Sequence, residues 1–213
     1  MTTHLLSIDL EDWFHILDYP PTERPEQWLQ FPSRIHNNTD RLLDLFDQYE
    51  VKATFFVLGW VAEKYPELVR RVEDKGHQIG SHSYAHPLIY KLTPAEFEAD
   101  LELSMNLIQQ VTGKPIEIYR APGFSITAEC LWAFDILASK GIKYDSSVFP
   151  SERAHGGLPD FPNAPFQLQT GNGTLTEYPI STTRIFSKDI VFDWYPTSLI
   201  SGDILAIPRI STP

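Results

Sequence analysis

The stretch "SIDLEDWFH", Ser7 to His15, places three carboxylates, Asp9, Glu11 and Asp12, immediately after an apolar run. Like charges crowded at a strand end raise the free energy unless a cation or a proton relieves them. Further along, His82 and His86 share the segment "HSYAH", Arg120 stands in "YRAPGF" and Asp145 in "YDSS". Two histidines and a carboxylate can hold a divalent metal on one face, leaving positions open for water or substrate. Zinc bound this way lowers the pKa of its water to about 7 and polarises a carbonyl. A second, unligated carboxylate can then take the proton of that water. The forked donor of an arginine can hold such a base ionised and oriented. Together these residue types point to hydrolysis at a metal centre, in which one of the crowded acids binds the metal and another serves as base.

Each piece also has a plainer reading. An acidic cluster after a strand can open a loop or a helix. A histidine pair at this spacing is common on surfaces, and "RAPGF" and "YDSS" could be ordinary turns. The elements that carry them favour the chemical reading. The runs "HLLSID", "KATFFVLG", "HQIGSH", "IEIYRA", "IKYDSSV" and "TLTEYPIS" read as strands. Between them lie amphipathic segments: "NNTDRLLDLFDQYE" with a cap at Asn38 or Thr39, Val61 to Lys75 with Pro66 opening a second segment, "TPAEFEADLELSMNLIQQVTG", and "TAECLWAFDILASKG". The third has the fullest helix grammar, with Thr93 as cap, Pro94 next, Glu96 completing a capping box and Gly113 as stop. Tyr19 to Ser33 and Phe149 to Gly173 read as loops, and beyond Lys188 no period is clear. Strands alternating with helices imply a parallel sheet, whose C-terminal strand ends converge on one rim. Asp9, His82, Arg120 and Asp145 all stand at such ends.

Composition sets the outer bounds. A chain of 213 residues suffices for one domain with its own core. The formal net charge of -11 argues against a nucleic-acid partner held through phosphates. Cys130 is the only cysteine, so no disulfide can form within the sequence. No stretch approaches the roughly 18 apolar residues of a membrane span. "MTTHLLSIDLEDW" lacks the basic and apolar regions of a signal peptide, so the expected location is the cytoplasm.

"SIDLEDWFH", "HSYAH", "RAPGFS" and "YDSSVFP", in this order, resemble the motifs of the polysaccharide deacetylase (NodB-homology) superfamily. The Asp-x-Glu-Asp of the first motif is most similar to the bacterial branch associated with exopolysaccharide export and exosortase loci. The resemblance implies an α/β fold, a distorted and incomplete (β/α) barrel. It implies a divalent metal, zinc above all, and removal of N-acetyl groups from an N-acetylated glycan. By the same resemblance Asp9 is the base, His82 and His86 are metal ligands and Arg120 orients the base. Asp145 supports the site from the next strand, while Trp13, Pro122 and Phe124 line the substrate groove. The third ligand is Glu11 or Asp12. Strand alternation would put Glu11 on the face of Asp9, and Asp12 would reach the site if the chain turned after Leu10.

The family's late Leu-x-His, which supplies a general acid, has no counterpart, since no histidine follows His155. The expectation is therefore a single catalytic domain over residues 1–213 that lacks its C-terminal part. Two other functions compete: a small-amide or ureide hydrolase on the same scaffold, and a non-catalytic carbohydrate-binding relative. The sequence gives no oligomeric state.

Overall fold

The computed structural model describes residues 5–17, 19–22, 24–151, 156–185 and 188–191. Strands β1 (Ser7–Leu10), β2 (Thr54–Val57), β3 (Gln78–Ser81), β4 (Ile118–Tyr119) and β5 (Tyr144–Asp145) pair in parallel, in sequence order. Strand β7 (Gly173–Glu177) continues the sheet in parallel beside β5, and β6 (Phe166–Thr170) joins β7 as an antiparallel hairpin. The seven-stranded order is thus β1-β2-β3-β4-β5-β7-β6, with β1 and β6 as its two ends among the described residues. A separate hairpin is formed by β8 (Thr182–Ile185) and β9 (Lys188–Val191). The α/β class and the parallel order are those expected from the alternation of patterns.

Helices connect the parallel strands. α1 (Pro25–Trp28) and α2 (Ile35–Gln48) lie between β1 and β2, α3 (Gly59–Lys64) and α4 (Pro66–Asp74) between β2 and β3, and α5 (Pro94–Thr112) and α6 (Trp132–Ser139) after β3 and β4. Phe55, Phe56, Val57 and Leu58 are all fully buried. Such a run, with no polar side, is what a central strand covered on both faces requires. Leu68, Val69 and Val72 of α4, Phe97, Leu101 and Ile108 of α5, and Phe134 and Leu137 of α6 supply the cover. Pro66 opens α4, Thr93 and Glu96 form the reciprocal capping box of α5, and Gly113 ends it at φ 71°. No described helix is long and apolar enough to cross a membrane.

Two expectations are corrected. α2 begins at Ile35 rather than after Asn38 or Thr39, and its N-cap residue, Arg34, makes no side-chain cap bond. Its first amides are satisfied by an acid remote in sequence, described below. The segment read as a loop from Phe149 to Gly173 contains β6, where Phe166 and Leu168 are half-buried and Gln167 and Gln169 exposed. Its turn is fastened from α6, with Gly171 N donating to Asp135 Oδ1 at 2.6 Å and Asn172 Nδ2 donating to Asp135 O at 3.1 Å.

α3 and α5 approach each other closely at Gly59. A Cβ on Gly59 would sit 2.8 Å from Ser104 Cα and 3.0 Å from Tyr84 Cδ2, so α3 and α5 meet there only because Gly59 has no side chain. Gly59→Ala is expected to destabilise the fold by about 1–3 kcal/mol, since overpacking at a backbone contact forces the elements apart. Urea denaturation of the two proteins measures this, and an unchanged midpoint would show that the contact yields freely.

Candidate metal centre

Arg120 follows β4 and is only 1% exposed. A buried cation must find partners for its whole guanidinium. Nη1 donates to Asp9 Oδ1 at 2.9 Å, Nη2 to Ser7 Oγ at 2.8 Å and Ser146 Oγ at 3.0 Å, and Nε to Ser146 O at 3.2 Å. Its flat face lies 4.1 Å from the ring centroid of Phe56 and 5.3 Å from that of Phe124. Residues from β1, β2 and the segment after β5 thereby converge on one side chain. Burial raises the pKa of Asp9 above the ordinary carboxylate value, while the charge of Arg120 and its hydrogen bond pull it down. Asp9 is thus an oriented carboxylate with a raised affinity for protons.

His82 continues β3. Its Nδ1 donates to the carbonyl of Arg120 at 2.8 Å, which fixes the tautomer, because a carbonyl can only accept. Its Nε2 therefore carries a lone pair; it is buried with no hydrogen-bond partner, 3.8 Å from Asp9 Oδ2. Burial holds the pKa of His82 at about 3, and burial together with His82 holds that of His86 well below the usual value. The two rings lie 5.1 Å apart, and His86 Nε2 is 3.3 Å from Glu11 Oε2. One potential ligand atom from each of Glu11, His82 and His86 lies within 4.8 Å of the others. Two neutral imidazoles and a carboxylate, with a buried nitrogen otherwise left without a partner, fit a divalent cation.

Asp12 does not join this group, which corrects its expected place among the metal ligands. Its Oδ1 accepts from Trp13 N at 2.9 Å, and its Oδ2 accepts from Ser33 Oγ at 2.6 Å, Arg34 N at 2.9 Å and Ile35 N at 3.2 Å. Asp12 thus caps a short 3-10 helix, Trp13–His15, and also supplies the missing cap of α2. Glu11 shares the side of Asp9, as strand alternation suggests.

The remaining expected residues are placed as follows. Trp13 is 41% exposed, with Nε1 donating to Pro32 O at 3.0 Å and its ring edge-on to Phe31. Pro122 and Phe124 are buried, a correction to their expected role as groove walls; Phe124 packs on Arg120 and near Phe149 and Ile180 instead. Asp145 turns to Ser147, accepting from Ser147 Oγ at 2.7 Å and Ser147 N at 3.2 Å, and to Glu177, its register partner on β7. His155 and everything from Phe192 onward lie outside the described residues.

Sequence reasoning missed Ser7, Ser146 and Phe56, the partners of Arg120, because a serine or a core phenylalanine carries no chemical signature of its own. It also missed Glu177, although this residue ends a strand just as Asp9 and Asp145 do. Glu177 is fully buried, accepts from Val148 N at 2.9 Å and hydrogen-bonds Asp145. Burial and the neighbouring Asp145 push its pKa well above the usual value, so this acid keeps the proton the pair shares.

Asp12→Ala is expected to cost about 2–4 kcal/mol by stripping several buried donors of their acceptor, while bound metal per chain stays unchanged. Denaturation and elemental analysis check the two halves, and loss of metal from a folded variant would return Asp12 to the ligand set. Glu177 binds its proton more tightly when folded, so its stabilising effect is complete below the unfolded carboxyl pKa and is lost as pH rises through the folded value. Glu177→Gln keeps a donor for Asp145 and an acceptor for Val148 and carries no charge. Its melting temperature relative to the wild type is expected to climb as pH rises beyond the ordinary carboxyl range. A difference that stays flat with pH would rule out the shared proton.

A family model described as polysaccharide deacetylase matches residues 20–144, and one described as Domain of unknown function (DUF3473) matches residues 146–194. A peptidoglycan-N-acetylglucosamine deacetylase of Bacillus cereus is 32% identical over 120 residues, covering 51% of this chain and 44% of the relative. A peptidoglycan deacetylase of Helicobacter pylori is 35% identical over 115 residues, covering 53% and 37% respectively. A chitin deacetylase of Colletotrichum lindemuthianum is 36% identical over 97 residues, covering 43% and 39%. Each match therefore spans less than half the length of the relative. A crystal structure from Mycobacterium smegmatis, named as a polysaccharide deacetylase, superposes with a TM-score of 0.66 at 24% identity over 92% of this chain and 65% of that one, and shows the shared fold. With the family model covering more than half of its length, the chain belongs to the polysaccharide deacetylase family.

Proposed function

We propose that this protein is a metal-dependent hydrolase that removes N-acetyl groups from an N-acetylated glycan, in exopolysaccharide or cell-envelope synthesis. The observation that carries the reading is the juxtaposition of two devices: a carboxylate clamped by a buried arginine, and, at 3.8 Å from its other oxygen, the first nitrogen of a Glu11–His82–His86 set. The names of the relatives, deacetylases of peptidoglycan and chitin, agree with it, and the Asp-x-Glu-Asp motif favours the exopolysaccharide branch.

Glu11, His82 and His86 would hold the metal, with zinc best suited to two imidazoles and one carboxylate. Bound there, it would polarise the amide carbonyl and acidify a water. Asp9 takes the proton of the attacking water, and Arg120 keeps the receiving oxygen in place through its bond to Asp9 Oδ1. The C–N bond of the amide breaks as the new C–O bond completes, and the nitrogen leaves with a proton. Because burial raises its proton affinity, Asp9 can return the proton it took to that nitrogen. The exposed indole of Trp13, tied by Pro32 just beyond Glu11, offers a fixed apolar surface for the face of a sugar ring.

The exposed indole of Trp13, a surface for a sugar ring, would serve equally in a second reading, a glycan-binding relative without turnover. The intact Asp9–Arg120 clamp weighs against it, because binding alone has no use for a base. Acetate release from N-acetylglucosamine oligomers separates the two. The wild type should release acetate, and Asp9→Asn should be at least about a hundredfold slower with its zinc content unchanged. Equal release by the variant would refute the assigned base. Oligomer binding by the wild type with no acetate at all would favour the second reading.

A further inference from the structure

The histidines of the metal centre sit at the two feet of a short arch, Ser83–Tyr84–Ala85, whose backbone is costly to hold. Ser83 and His86 both take left-handed conformations, at φ 64° and 58°, without being glycine. An isolated chain would relax out of such an arch and let the two rings drift apart. Something must keep it shut, and the only carboxylate bonded to its backbone amides among the described residues comes from α5. Asp100 Oδ2 accepts from Tyr84 N at 3.0 Å, with Ser83 and Ala85 flanking the same carboxylate, and Ser83 Oγ shares a hydrogen bond with the Tyr119 hydroxyl at 2.8 Å. One turn along the same helix, Ser104 Oγ bonds to Ser83 O at 3.0 Å and to Ser81 Oγ at 2.8 Å. From α3 the amides of Gly59 and Trp60 donate to Ser83 O and Tyr84 O at 2.8 and 3.1 Å. The donors and acceptors of the arch are thus gathered by α3 and α5, and the tight Gly59–Ser104 approach is the distance at which both can reach it.

We propose that Asp100, assisted by Ser104, is a positioning residue that sets the spacing of His82 and His86 and so the affinity of the site for its metal. This rests on the metal-centre reading above. Neither side chain is among the ligands. Asp100 acts through the arch by fastening the amide of Tyr84, at its crown, to α5, which a truncated side chain cannot do. Outer-shell partners of this kind are worth roughly 10- to 100-fold in metal affinity.

The test is zinc affinity, measured by chelator competition on the metal-stripped protein, for wild type, Asp100→Ala, Asp100→Asn, Ser104→Ala and His82→Ala. Circular dichroism of the metal-free forms and the absorption spectrum of the cobalt-loaded forms accompany it. Asp100→Ala is expected to keep its secondary structure, bind zinc about tenfold or more weakly and shift the cobalt bands, with Asp100→Asn between it and the wild type. Should Asp100→Ala not fold, Asp100→Asn and Ser104→Ala carry the comparison. Folded variants that bind zinc as the wild type does, with unshifted cobalt bands, would overturn the role of Asp100 while leaving the metal centre intact. A wild type that binds no zinc, or binds it undiminished after His82→Ala, would overturn the metal centre and this inference with it.

Discussion

The guanidinium of Arg120 is a permanent charge taken almost wholly out of water, and the chain around it is arranged to replace what water supplied. Two strands and the segments that follow two others contribute to that replacement: Ser7 and Asp9 from β1, Phe56 from β2, the arginine itself after β4, and Ser146 after β5. A cation in a low-dielectric interior without such partners would cost several kcal/mol, so the strand ends must stay in register for the charge to be tolerated. The same contacts orient Asp9. His82 is tied in as well, because its Nδ1 donates to the backbone carbonyl of Arg120. One buried cation therefore couples Asp9, His82 and the alignment of the sheet.

The acids around it divide their work by environment rather than by type. Asp9 faces a fixed cation. Glu11 faces His86. Asp12, next in the chain, serves backbone amides from two helix starts. Asp145 and Glu177 face each other among amides and hydroxyls, and burial raises the pKa of both. Their pairing stitches β5 to β7 next to Ser146, whose Oγ also donates to Tyr178 O at 2.8 Å. The site is thus backed by a second polar layer, in which Ser146, Ser147 and the amide of Val148 hydrogen-bond the strand ends together.

Much of the fold was legible because its signals are local. Proline and glycine grammar placed α4 and both ends of α5, and the all-apolar run around Phe55 and Phe56 marked a strand covered on both faces. The errors fell where the deciding partner is distant. The start of α2 was misplaced because its cap, Asp12, lies 22 residues before Arg34. Strand β6 was missed because a short alternation of Phe166 and Leu168 with glutamines earns its place only by pairing with β7.

The sequence by itself determined which residue types would meet: strand-end logic brought Asp9, His82 and Arg120 to one rim, and the parallel alternation that implies such a rim is written in the order of elements. It could not decide between Glu11 and Asp12, since both are one short turn from the end of β1. That choice belongs to the tertiary structure. Ser33, Arg34 and Ile35 bring donors to Asp12 and occupy its oxygens, whereas Glu11 is left facing His86. A carboxylate's role is set by the donors that reach it, and those donors arrive only when distant segments pack.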